Sequence, residues 1–261
     1  MDSLTKITLN LMESSGEKPS FSLSSLFQGA LMERADSSFA EKMHESGLHP
    51  YSQYLQFQEN QVIWTVSALN GEAKEHLISK LEADDFQSVF IRDHQETFSI
   101  AEKQIRSVTY EELVRKYYLG QCSHILKLAF VTPTSFKSSG RYQLFPSAKL
   151  IFQSLMMKYD QASGDSTIYS EEMVNEFERY SEIVGYRLKS TSFSMEGVRI
   201  PSFLGTVTIR IHGPQQLANV AWMLAAYGEY SGIGIKTGAG MGGLQIIEKQ
   251  TGKEPKWKKK F

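Results

Sequence analysis

With 261 residues, 41% of them hydrophobic and 22% charged, the chain is long enough for one large core or two of ordinary size, and its balance excludes a disordered polymer. Its single cysteine, Cys122, excludes an intrachain disulfide, a cysteine-based zinc site and an iron–sulfur cluster held within one chain, so a reducing, intracellular setting is expected; separate expectations are that the chain is cytoplasmic and uses no metal or other cofactor. The formal net charge of -1 argues mildly against a polyanion partner, yet there are 11 Lys and Arg against 4 Asp and Glu from Tyr186 onward, and 17 against 25 before it, which could place a polyanion on the C-terminal part, although the tail lysines Lys256, Lys258, Lys259 and Lys260, readable as merely solvated, supply part of that excess.

The opening residues, MDSLTKITLNL, lack the basic region and apolar block of a secretion signal, and no apolar run approaches the ~20 residues of a membrane span. Leu4 to Leu11 alternates apolar and polar residues, the pattern of a strand with one covered face. Phe21, Leu23, Leu26, Phe27, Ala30 and Leu31 recur at helical steps, and Ser38 with Glu41 has capping-box spacing for a second helix that Gly47 ends. Tyr51 to Phe57 and Val62 to Leu69 read as strands around the turn Glu59-Asn60-Gln61; Glu72 to Leu81 reads as a helix and Phe98 to Val108 as a strand. The order is βαββαβ with the first helical link in two pieces.

The same order follows again. His124 to Val131 is a strand, Pro133 to Pro146 a loop, and Ala148 to Tyr159 and Ser170 to Val184 are helices separated by the polar Asp160 to Asp165. Strands are expected over Tyr186 to Ser194 and Phe203 to Ile211, a helix from Pro214 to Tyr227, and a closing strand from Leu244 to Glu248. The topology repeats although the sequence does not. The expectation is an α+β protein of two tandem ferredoxin-like domains, residues 1–120 and 121–261.

Glycines concentrate between the last expected helix and strand, in Gly228 to Gly243. Glycine reaches positive φ and lets a ligand approach the main chain, so amides there can form a concave nest for phosphate oxygens; a bent connection between two elements is the alternative. Gly238-Ala-Gly-Met-Gly-Gly243 matches G-x-G-x-x-G, but a dinucleotide fingerprint follows a strand and opens a helix, the reverse of the order here, and Lys236-Thr237 lacks the preceding glycine of a P-loop.

Two segments, YSGIGIKTGAGMGG (Tyr230 to Gly243) and FAEKMHESGLHPYSQYL (Phe39 to Leu55), resemble the CRISPR-associated endoribonucleases that process precursor CRISPR RNA, members of the RAMP superfamily. The first is similar to that family's C-terminal glycine-rich loop, the second to its segment in which a histidine closes a helix. The resemblance implies binding of CRISPR repeat RNA, possible association with other CRISPR effector subunits, and metal-free cleavage by a ribose 2′-hydroxyl that leaves a 2′,3′-cyclic phosphate and a 5′-hydroxyl. It carries the catalytic histidine onto His44. Where some members have a tyrosine on the preceding helix and a lysine after the histidine, this chain has Met32 and His49-Pro50.

Such cleavage needs a proton acceptor, a proton donor and charge stabilisation at the phosphate, and histidine serves either proton role near neutral pH. His44 in the last turn of a helix would be favoured in its protonated form, suiting an acid, and His49 is the candidate complement. Candidates for RNA contact are Gly232, Gly234, Lys236, Thr237, Gly238, Gly240 and Gly242 of the loop, Tyr230 beside it as a stacking platform, and Arg187, Lys189, Arg199 and Arg210 on the second strand pair. His76, His94, His124 and His212 show no ligand-like spacing, so no metal site is expected. Two other readings fit these residues: a non-catalytic RAMP-type RNA-binding subunit, and an enzyme acting on a small phosphorylated molecule.

Overall fold

The computed structural model describes residues 3–12, 20–45, 47–58, 61–164 and 167–247. The alternating first segment forms β1 (Ser3–Met12), with Ile7, Leu9 and Leu11 buried under α1 (Leu23–Arg34) and α2 (Ser37–Glu45). These helices bring Phe27, Leu31, Phe39 and Met43 to that core. Because α2 starts at Ser37, Ser38 lies inside the helix and not at its cap. The hairpin of β2 (Tyr51–Gln58) and β3 (Gln61–Ala68) is paired from Tyr51↔Ala68 to Gln58↔Gln61. Gln61 is therefore a strand residue, while Glu59 and Asn60 lie outside the described residues.

Residues 71–82 are helical, with α3 (Gly71–Ala73) and α4 (Ser79–Glu82) flanking a π-helical turn, Lys74–Ile78; the Ala73 amide donates to the Asn70 side chain at 2.9 Å, capping its start. β4 (Ser88–Ile91), too short to announce itself by alternation, edges the long β5 (Glu96–Thr109). The first sheet has the antiparallel order β2-β3-β1-β5-β4. After it, α5 (Tyr110–Leu113), opened by a Thr109/Glu112 capping box, and a π-helical turn, Val114–Tyr118, add an unexpected helix. Leu113, Val114 and Tyr117 of this helix pack with the core beneath the second sheet.

That sheet begins with β6 (Ile125–Thr134). The expected loop after it contains a small hairpin, β7 (Phe136–Ser138) and β8 (Arg141–Gln143). α6 (Ala148–Ser163) runs past the expected break, because Asp160 turns its carboxylate to the amides of Ile168 and Tyr169, both at 2.8 Å, and so anchors the chain that follows the helix. Asp165 lies outside the described residues. α7 (Glu171–Tyr180) stops short of the expected Val184 and continues directly as β9 (Ser181–Met195); Ser181, Glu182 and Ile183 pair with Ile211, Arg210 and Ile209, and that ladder outweighs the helical spacing. β10 (Val198–Ile211), α8 (Gln215–Ser231) and β11 (Leu244–Ile246) complete the unit.

The second sheet has the order β11-β6-β10-β9. Read by rank within each unit, both sheets contain the order fourth, first, third, second, which is the ferredoxin-like arrangement, with β4 an extra edge strand in the first. The fold is α+β, two such units in tandem. Among the described residues no helix is long and apolar enough to cross a membrane.

Candidate nucleic-acid interface

The glycine-rich loop leaves α8 at Ser231 and ties itself down at once. Gly232 N–H donates to Gly228 O (2.9 Å), Ile233 N–H to Gly242 O (2.8 Å), Ile235 N–H to Ser135 O (3.0 Å) and Gly242 N–H to Pro133 O (3.0 Å). The Gly234 and Gly243 amides donate to Ser154 Oγ and Thr132 Oγ1, each at 2.8 Å. The expected row of free amides is thus corrected: those of Gly232, Gly234 and Gly242 are satisfied by the protein itself. Gly232, Thr237, Gly238, Gly240 and Gly242 are buried, Gly234 and Ile235 are half-buried, and Lys236 is exposed at the crest.

The reason for glycine is close packing. Gly240 has φ +109°, and a Cβ there would lie 2.1 Å from the Cβ of Ser24, on α1. At Gly238 a Cβ would lie 2.8 Å from His49 Nδ1 and 3.1 Å from the Tyr51 hydroxyl. Lys236 takes the left-handed conformation (φ 55°) and leads into a short 3-10 turn, Thr237–Ala239, which presses against the first unit.

The histidine segment meets this turn. The backbone of His44 lies in the last turn of α2; its side chain lies outside the described residues. His49 is half-buried and stacks on Tyr51, with ring centroids 5.2 Å apart and planes 12° from parallel. Tyr51 is buried and accepts from Gln28 Nε2 at 3.0 Å, and burial pushes its hydroxyl up to about 12, so it stays neutral. Gln53 Nε2 donates to Ser24 O (2.8 Å) and Gly238 O (3.0 Å), while Trp64 Nε1 donates to Gln53 Oε1 (3.0 Å). From the second unit, Lys158 Nζ donates to Thr237 Oγ1 at 2.8 Å. Two motifs far apart in sequence therefore meet, held by a buried polar network.

Gln53, Ser24 and Lys158 were not singled out from the sequence. For Lys158 a signal existed: it lies seven residues after Ile151 and three after Leu155 on α6, so helical spacing puts it on the buried stripe. A glutamine in an alternating strand offers no comparable sign.

The remaining candidates are spread out. Strand register puts Arg187 opposite Thr206, Lys189 opposite Leu204, Lys127 opposite Thr208 and Arg210 opposite Ile125, so these four bases share the sheet face away from the helices. Arg210 Nη1 is 3.9 Å from Glu182 Oε1. Arg199 falls on the opposite face, its Nε donating to Ser192 Oγ at 2.8 Å. Tyr230 does not face His49: Lys6 Nζ sits 4.6 Å from its ring centroid, and with Arg115, Lys116 and Glu229 it lines a separate cavity of about 420 Å³. Met32 packs against the first core. His76 bonds Asp36 Oδ2 at 2.7 Å and holds that carboxyl below its usual range. His124 bonds Ile211 O, and His212 bonds Glu182. No group of three or more His, Cys, Asp or Glu side chains suited to a metal occurs among the described residues.

Two ferredoxin-like units joined through a glycine-rich loop define a RAMP-type protein. The family model for CRISPR-associated endoribonuclease Cas6 matches residues 128–244. A Cas6 endoribonuclease of Streptococcus thermophilus is 32% identical over 90% of this chain and 95% of its own length; one of Mycobacterium tuberculosis is 28% identical over 84% and 69%. Among solved structures, a Cas6 product complex superimposes with a TM-score of 0.78 at 22% identity, covering 94% of this chain and all of the other, and Thermus thermophilus Cas6 with 0.74 at 20%, covering 95% and 99%. The chain belongs to the CRISPR-associated Cas6 endoribonuclease family.

Proposed function

We propose that this protein, in the cytoplasm, binds CRISPR repeat RNA and cuts it without a metal ion to produce guide RNAs, and that its units divide as domains 1–120 and 121–261. The 2′-hydroxyl at the cut attacks the adjacent phosphorus and the 5′-oxygen departs, leaving a 2′,3′-cyclic phosphate and a 5′-hydroxyl. His44, at a helix C-terminus that favours the imidazolium, protonates the leaving oxygen. His49 takes the proton of the attacking hydroxyl or contacts the phosphate. Lys236 adds positive charge from the loop crest, and Arg187, Lys189 and Arg210 extend a basic track along the second sheet.

The observation that carries this reading is the packing of His49 against Gly238, which puts the end of the histidine segment beside the loop that bears Lys236. Relatives named endoribonucleases, and solved Cas6 complexes with a product and with a substrate mimic, support the RNA partner. The test is cleavage of repeat RNA in excess EDTA, beside the same RNA carrying one 2′-deoxy nucleotide at the cut. Cleavage is expected with the first and none with the second; a cut deoxy substrate eliminates the proposed nucleophile.

A further inference from the structure

α6 buries Ile151, Phe152, Leu155, Tyr159 and Ala162, and among them stands an amine: Lys158, 7% exposed. Its Nζ donates to Thr237 Oγ1 at 2.8 Å, and its backbone carbonyl accepts from the Tyr227 hydroxyl of α8 at 2.8 Å. Burial holds the amine down to about 8, and no carboxylate offsets that effect. On the packed elements, Glu178 of α7 binds Lys149, Glu182 of β9 binds His212 and Glu229 of α8 accepts from the Ile246 amide. The titratable neighbours are Tyr227, Lys236 on the same turn as Thr237, and His49 against Gly238. A buried ammonium facing one neutral hydroxyl is costly to keep charged unless an anion compensates it.

The anion the site offers is the RNA backbone proposed above, on which this inference rests. We infer that Lys158 is a positioning residue for that backbone: through Thr237 it fixes the turn 236–239 against His49, and it sets a positive charge beneath the phosphate held at the crest. It does not touch the reacting atoms. Its role is to keep the turn in place and bias it toward anions.

The inference predicts a proton linkage that a purely structural lysine would not produce. A phosphate brought near Lys158 favours its charged form, so RNA binding takes up a proton at pH values above that of the free amine. With a 2′-deoxy, uncleavable repeat RNA, the dissociation constant of the native chain should weaken by up to about tenfold between pH 7 and pH 9. Calorimetry in two buffers of different ionisation enthalpy should register the proton uptake. K158M should bind more weakly at pH 7 and lose the pH dependence, while T237V, which keeps the amine and breaks its contact with the turn, should lower the single-turnover rate yet retain the proton uptake. Thermal melting checks that each variant is folded. Folded K158M with native affinity and an unchanged pH profile overturns the inference; should K158M not fold, T237V with native rate and affinity overturns it. Native protein without affinity for repeat RNA overturns the RNA reading itself, a separate outcome.

Discussion

Replacing Gly240 by alanine tests whether the loop is a packed joint. Its φ of +109° is one that side-chain-bearing residues rarely adopt, and the added methyl would lie 2.1 Å from Ser24 Cβ, 2.8 Å from Ser24 Oγ and 3.4 Å from Gln53 Nε2. Backbone strain costs about 1–2 kcal/mol, and forcing a methyl into a filled core about 1–3 kcal/mol. Reduced freedom of the unfolded chain returns roughly 0.4–1 kcal/mol. The net loss is therefore about 1–5 kcal/mol, a substantial share of the ~5–15 kcal/mol that holds a typical domain folded. Urea unfolding monitored by tryptophan fluorescence measures it, with Trp64, bonded to Gln53, as a reporter inside the affected network. Gly164→Ala is the matched control, since φ there is +67° but no atom lies within 4 Å; strain alone should cost about 1 kcal/mol. Equal midpoints for the two variants would refute the packing argument. If Gly240→Ala is the less stable of the two, weakened RNA binding by that variant follows from the broken joint and not from a lost contact with RNA.

His44→Ala should slow single-turnover cleavage by ~10²–10⁴-fold with little change in affinity, measured by gel assay and filter binding; unimpaired cutting removes it from the site. Lys236→Ala, at an exposed position, should leave the melting temperature unchanged and reduce the slope of log affinity against log salt by about 0.7–0.9; an unaltered slope means Lys236 meets no phosphate. Lys158 makes stability depend on pH. Its folded value of about 8 lies below 10.5, so the unfolded chain holds more protons between those values, and stability attributable to this group rises with pH across that window by up to about 3 kcal/mol. Urea unfolding at pH 7.5 and 9.5 should show the rise in native protein and its absence in K158M, and equal slopes in the two would contradict the assignment.

Much of this architecture was legible because it is written in local periods. The alternation of Leu4 to Leu11, the three- and four-residue steps from Phe21 to Leu31 and the placement of Pro214 each report one element, and their order specifies the topology. β4 escaped because four residues carry too little alternation, and the helix over 110–118 because its apolar face is completed by the second core. Ser181 to Val184 was read as helix because its strand character depends on pairing with β10, a contact that local spacing does not reveal. The histidine segment and the glycine loop were both visible as motifs. The close packing that glycine permits there was not legible: nothing in a run of glycines distinguishes room for a ligand from room for Ser24 and His49.

The joint between the units also sets a schedule for synthesis. His49 and the helix before it leave the ribosome early, whereas the turn that packs against His49 is translated only after all eight α-helices and ten of the eleven β-strands described here have been made. The joint between His49 and Gly238 therefore cannot form until nearly the whole chain has been synthesised, so its closure belongs to the end of translation.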